Sequence, residues 1–110
     1  MFISEYKKNG VKVLELQGRI DSTQASFETE MHELVAKEDR VAIDCINLNY
    51  ISSFGLRAFL STLKSVQKEQ GTMAIANLQE NVKNVFEISG FLKLFAIYNT
   101  LDEALTALKS

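Results

Sequence analysis

With 110 residues, 46% of them hydrophobic and 24% charged, the chain has the length and apolar content of one globular domain spanning residues 1–110 and leaves no room for a second. A single cysteine excludes an internal disulfide, and scattered charges with a net of -2 give no basic stripe to neutralise phosphates, so nucleic acid is not an expected partner. No basic region precedes an apolar core of secretory length, and no apolar run reaches about 18 residues, so a soluble, cytoplasmic protein without a membrane span is expected.

Phe2 to Lys8 and Val11 to Gln17 have strand character, and Asn9-Gly10 between them supplies the positive backbone angles of a tight hairpin. Asp21-Ser-Thr-Gln24 has the form of a helix start. Phe27, Met31, Leu34 and Val35 then recur at helical spacing, which predicts a first helix over residues 22–37. Val41 to Ile46 is short and almost wholly apolar, as a strand covered on both faces should be.

In Leu48 to Leu63, "LNYISSFGLRAFLSTL", an apolar segment runs into two serines, a glycine and an amphipathic stripe. Leu56, Phe59, Leu60, Leu63 and Val66 take one helix face, opposite Arg57, Ser61, Lys64 and Lys68. This second helix is expected to stop at Gly71 in a left-handed cap. Met73 to Ala76 follows as a buried strand. Val82, Val85 and Phe86 mark a third helix that ends at Gly90 with Phe91 folded back onto it, and Leu94 to Tyr98 reads as a last strand. Thr100-Leu-Asp-Glu103 has capping-box spacing ahead of the stripe Leu101, Ala104, Leu105 and Leu108.

Strands alternating with helices imply parallel crossovers, and the opening hairpin adds an antiparallel pair. The expected fold is an α/β mixed sheet of about five strands covered by about four helices. In such sheets ligands and partners meet the carboxyl ends of the strands, and the double serine follows one such end. One serine of the pair can cap the helix, a role worth about 1 kcal/mol, which leaves the other with a partner or in solvent. If held in solvent and phosphorylated, a hydroxyl there gains about -1.5 to -2 charges beside free N–H groups and the positive end of the helix dipole.

Other conspicuous residues read more plainly. His32 is the only histidine and falls off the apolar stripe, as a solvated surface residue does. One histidine and one cysteine assemble no metal site, no glycine-rich phosphate loop is visible, and no cofactor is expected. Cys45 reads as a small core residue, and Asp44 as a carboxylate at a strand end. Catalysis by Ser53 is disfavoured, because Ile51 stands where the nucleophile elbow requires glycine and His32 has no evident orienting carboxylate.

"GRID" at Gly18 to Asp21, "IDCINLNYISSFGLRAFL" at Ile43 to Leu60, Gly71, "NVKNVFEISGF" at Asn81 to Phe91 and "LDEAL" at Leu101 to Leu105 together resemble a STAS domain, in the branch of bacterial anti-sigma factor antagonists. The resemblance spans nearly the whole chain and is most specific around the serines. It implies a non-enzymatic phosphorylation switch. The unphosphorylated antagonist would bind an anti-sigma factor, commonly also a serine kinase, and so release the sigma factor. A PP2C-type phosphatase would reverse the mark. By position the resemblance makes Ser53 the phosphoacceptor and Asp21, Ser52, Ser53, Phe54, Gly55 and Leu56 the partner-binding set. Asp21 has a second reading as the N-cap of the first helix, and Phe54 a second reading as a core ring. Two positions depart from the family pattern: Ser52 replaces a common acidic residue, and Phe54 stands where a small residue is usual. The alternative within the same family is an unmodified scaffold or binding subunit of a lipid-transport or signalling complex.

Overall fold

The hairpin forms where Asn9-Gly10 permits it, with φ of 55° and 78° at the two turn residues. The computed structural model, which describes residues 2–109, places β1 (Phe2–Lys8) antiparallel to β2 (Val11–Ile20) across that turn. The chain then runs through α1 (Phe27–Val35), β3 (Arg40–Ile51), α2 (Ser53–Lys68), β4 (Thr72–Ala76), α3 (Glu80–Ile88), a short 3-10 turn at Leu92–Leu94, β5 (Ala96–Tyr98) and α4 (Leu101–Leu108). The strands lie in the order β1-β2-β3-β4-β5, and every pair after the hairpin is parallel. This is the five-stranded mixed sheet with four helices that the pattern predicts.

Alternation along the strands sorts side chains to the two faces. Leu14, Leu16, Ile43, Cys45, Met73 and Ile75 face α1, α2 and α3, where Phe27, Phe59 and Phe86 complete the larger core. Phe59 meets Phe86 edge-to-face with ring centroids 5.6 Å apart, and Phe86 meets Phe95 at the same separation. Val11, Val13, Ala42, Ala74 and Ala76 face α4 and pack on Ala104, Leu105 and Leu108. The small alanines let α4 sit close to the sheet.

Several boundaries differ from the sequence reading, each for a local reason. α1 begins at Phe27 rather than residue 22. The expected start does make hydrogen bonds of its own: the Thr23 N–H donates to Asp21 Oδ1, and the Asp21 N–H donates to Gln24 Oε1. It closes a single turn that does not propagate, and Ser26 is the residue that precedes the helix. Asp21 is therefore not the N-cap of α1. The left-handed residue after α2 is Gln70, with φ 64°, while Gly71 follows it and donates to the Val66 carbonyl. Gly71 is required for space, since a Cβ there would lie 2.9 Å from Val66 Cγ1 and 3.0 Å from the Asp39 carbonyl oxygen. At the end of α3 the expected cap forms as read: Gly90 has φ 81°, and the Phe91 N–H returns to the Phe86 carbonyl.

β5 is shorter than residues 94–98 because Leu92–Leu94 coil into a 3-10 turn closed by the Leu94 N–H on Phe91 O. β3 is twice the expected length. Its first half is buried, whereas Ile46, Asn47, Asn49 and Tyr50 are exposed, so the second half lacks the apolar signature of a strand covered on both faces. Asp44 lies inside this strand and not at its end. It is kept there by the Asn77 side-chain amide, which donates at 3.0 Å, and by the Ile46 N–H at 3.1 Å. Thr100 and Glu103 make both bonds of the predicted box at the start of α4.

His32 also departs from expectation. Its Nε2 lies 2.7 Å from Ser61 Oγ, linking α1 to α2, with Glu28 Oε2 3.9 Å away. It is half-buried between helices rather than free in water.

Candidate functional site

β3 delivers the two serines to the carboxyl-end rim of the sheet, and the structure gives them different tasks. Ser52 has extended backbone angles, φ -96° and ψ 175°, and its Oγ accepts the Gly55 N–H at 3.4 Å. It is the N-cap of α2. Ser53 is the first helical residue and is exposed. The Gly55 and Leu56 N–H groups are both taken by Ser52, through its Oγ and its carbonyl respectively, whereas the N–H groups of Ser53 and Phe54 precede the helical bonding ladder. No acidic residue occupies this first turn, so the positive end of the helix has no carboxylate of its own.

Phe54 is partly buried and packs against the larger core, a position between the exposed anchor and the core ring. Gly55 is buried where α2 crosses the strand ends. A Cβ there would stand 2.6 Å from Ile51 Cγ1 and 2.8 Å from Ile20 Cγ2, so its reason for being glycine is steric. Leu56 is 2% exposed and belongs to the core. Of the six residues predicted for partner binding, Ser53 is exposed, Ser52, Phe54 and Asp21 are partly exposed, and Gly55 and Leu56 are buried beneath them.

Asp21 comes to the same rim through the backbone. The Ser52 N–H donates to the Ile20 carbonyl at 2.9 Å, which joins the end of β2 to the start of α2. Gly18 makes this arrival possible, since the sheet register shifts between Gly18 and Arg19 and Gly18 adopts φ 100°. The Thr23 hydroxyl and the Thr23 N–H both donate to Asp21 Oδ1, and with the nearby Arg19 cation they hold the Asp21 carboxyl below the usual carboxylate range. Asp21 is an anion at neutral pH.

Sequence reasoning passed over Arg19 and Tyr50, which complete this corner. They are register partners across β2 and β3, and the Arg19 guanidinium lies 4.2 Å from the centre of the Tyr50 ring. Arg19 Nη2 is 3.9 Å from Asp21 Oδ2. Arg19 lies on β2 and Asp21 just beyond its end, so the strand period alone did not link the two. Tyr50 was hidden by the unexpected length of β3.

A mixed sheet whose central strand hands over to a serine-capped helix at its carboxyl rim defines a particular class of small α/β domain. Residues 3–104 match the family model of the STAS domain, and the chain belongs to that family. A Bordetella bronchiseptica protein that carries the name "Putative anti-sigma factor antagonist BtrV" is 40% identical over 106 residues, covering 94% of this chain and 91% of the relative. The anti-sigma F factor antagonist of Paenibacillus polymyxa is 27% identical over 103 residues, covering 91% of this chain and 88% of the relative. The crystal structure of an anti-sigma factor antagonist from Mycobacterium paratuberculosis superposes with a TM-score of 0.88 at 27% identity, covering 99% of this chain and 94% of that one.

Proposed function

We propose that this protein is an anti-sigma factor antagonist controlled by phosphorylation of Ser53. The unphosphorylated form docks on an anti-sigma factor that is also its serine kinase, and so frees the sigma factor. A PP2C-type phosphatase restores the binding form. Similarity to antagonists over nine-tenths of the chain supports the role. The observation that carries the switch is the division of labour between the serines: Ser52 supplies the cap, so the exposed hydroxyl of Ser53 is left without a structural duty.

Magnitudes favour exclusion from an interface over unfolding. A phosphate at Ser53 gains about 0.3 to 1 kcal/mol from the helix end, and up to about 2 in a partly buried setting. The domain therefore tolerates the mark. An unpaired charge forced into a docked surface costs on the order of 3 to 5 kcal/mol, close to the roughly 5.5 kcal/mol that swings an equilibrium from about 1:99 to 99:1. The docking surface is formed by Asp21, Ser52, Ser53 and the exposed part of Phe54, braced by Gly55 and Leu56.

Capture from the native cell with Ser53→Ala and Ser53→Asp as baits, followed by mass spectrometry, tests the reading. An anti-sigma factor retained by Ser53→Ala and lost by Ser53→Asp is the expected result. Equal retention overturns the switch. Phosphopeptide mapping that finds Ser53 unmodified under every growth condition favours the scaffold role instead.

A further inference from the structure

We infer that Arg19 sets partner specificity on this docking surface by receiving an acidic side chain of the anti-sigma factor. The inference rests on the reading of the surface given above. Arg19 is the second-last residue of β2, and its guanidinium carbon stands 4.2 Å over the Tyr50 ring, well within cation–π range. The stack engages the flat face of the group. Its N–H donors lie in the plane, around the edge, and are not consumed by the ring.

The carboxylate beside it does not consume them either. Asp21 Oδ2 is 3.9 Å from Arg19 Nη2, beyond the roughly 2.7–2.9 Å of a charge-assisted hydrogen bond, and Asp21 Oδ1 is committed to Thr23. The Arg19 side chain is 62% exposed. It is a cation oriented by an aromatic ring and an anion, with its donors still facing water.

Such a group has little freedom left to lose on docking, and its planar fork matches a carboxylate in two-point fashion. Arginine and tyrosine are also the residue types that dominate interface energetics. An anti-sigma factor without an acid at the matching point would strip water from a guanidinium and return nothing. That penalty selects among related partners.

The test uses the pure anti-sigma factor identified by the Ser53 capture experiment, with dissociation constants measured by calorimetry at low and high salt for wild type, Arg19→Glu, Arg19→Lys, Arg19→Gln and Ser53→Asp. Arg19→Glu is expected to weaken binding about 100-fold and Arg19→Lys about 10-fold, with melting temperatures near wild type. Wild-type affinity should fall more steeply with salt than that of Arg19→Gln. If Ser53→Asp fails to bind while Arg19→Glu binds within about twofold of wild type, the Arg19 inference falls and the docking surface stands. Identical salt dependence in wild type and Arg19→Gln also overturns it, since a purely structural brace would behave that way. If Ser53→Asp binds like wild type, the surface reading falls and the inference with it.

Discussion

The Ser52 backbone N–H donates to the Ile20 carbonyl oxygen across 2.9 Å, so the end of β2 and the cap of α2 form one unit. Two loops distant in sequence are thereby brought to one rim without any side chain being spent on the junction. The side chains of Asp21, Ser53 and Arg19 remain available to a partner.

Stability and function should separate between the two serines. Ser52→Ala removes the acceptor of the Gly55 N–H and is expected to cost about 0.5 to 1 kcal/mol, the low end for a cap given the 3.4 Å bond. Ser53→Ala should stay within about 0.5 kcal/mol of wild type, as for an exposed residue without a structural bond. Urea denaturation of both variants checks the pair.

Gly55→Ala should destabilise the fold by about 1 to 3 kcal/mol, because its methyl would meet two buried isoleucines at 2.6 and 2.8 Å. Isoleucine side chains anchored at strand ends cannot retreat freely. A thermal midpoint equal to wild type would show that the helix start shifts at no cost.

The acid sensitivity of the rim follows from Asp21. The Thr23 hydroxyl contributes most to lowering its pKa, followed by the Thr23 N–H. A depressed folded-state pKa means that the stabilisation is complete above the unfolded value of about 4 and fades as pH falls through the folded value. Thr23→Ala should move the Asp21 midpoint upward in an NMR titration of its carboxyl carbon. The stability gap between Thr23→Ala and wild type should close at the most acid pH.

Cys45 should be inert in the native protein. It is fully buried, and burial raises its thiol pKa far above the ordinary range. An aromatic disulfide reagent is expected to leave it untouched in buffer and to modify it stoichiometrically in denaturant. Rapid native-state labelling would mean that the sheet opens readily.

Where hydrophobic period and turn chemistry agree, the sequence discloses the architecture. Asn9-Gly10, the Leu56–Val66 stripe, Gly90 and the Thr100–Glu103 box all sit where their residue types require. Where a boundary moved, the reason was local, as in the Asp21 turn and the 3-10 turn at Leu92–Leu94; three other misreadings share a different cause, a deciding partner remote in sequence. Gly71 is held to glycine by the Asp39 backbone, Asp44 is satisfied by Asn77, and His32 is matched by Ser61. At the site, the serine pair was legible because a cap is a local device. The stack of Arg19 on Tyr50 was not, since it depends on which residues face each other across two strands.

The uneven pairing of β3 carries a last consequence. Residues 41–44 are paired with strands on both flanks, whereas from Asn47 to Ile51 only β2 pairs with β3. On the open flank, the Gln79 amide donates to the Ile46 carbonyl and the Asn81 amide to the Asn49 carbonyl. Tethers of this kind release one at a time, unlike a ladder that must unzip cooperatively. A gradient of opening cost therefore runs along a single strand, and amide exchange should quicken toward Ser53. The half anchored on both flanks keeps the sheet intact while the half nearest the serine can breathe.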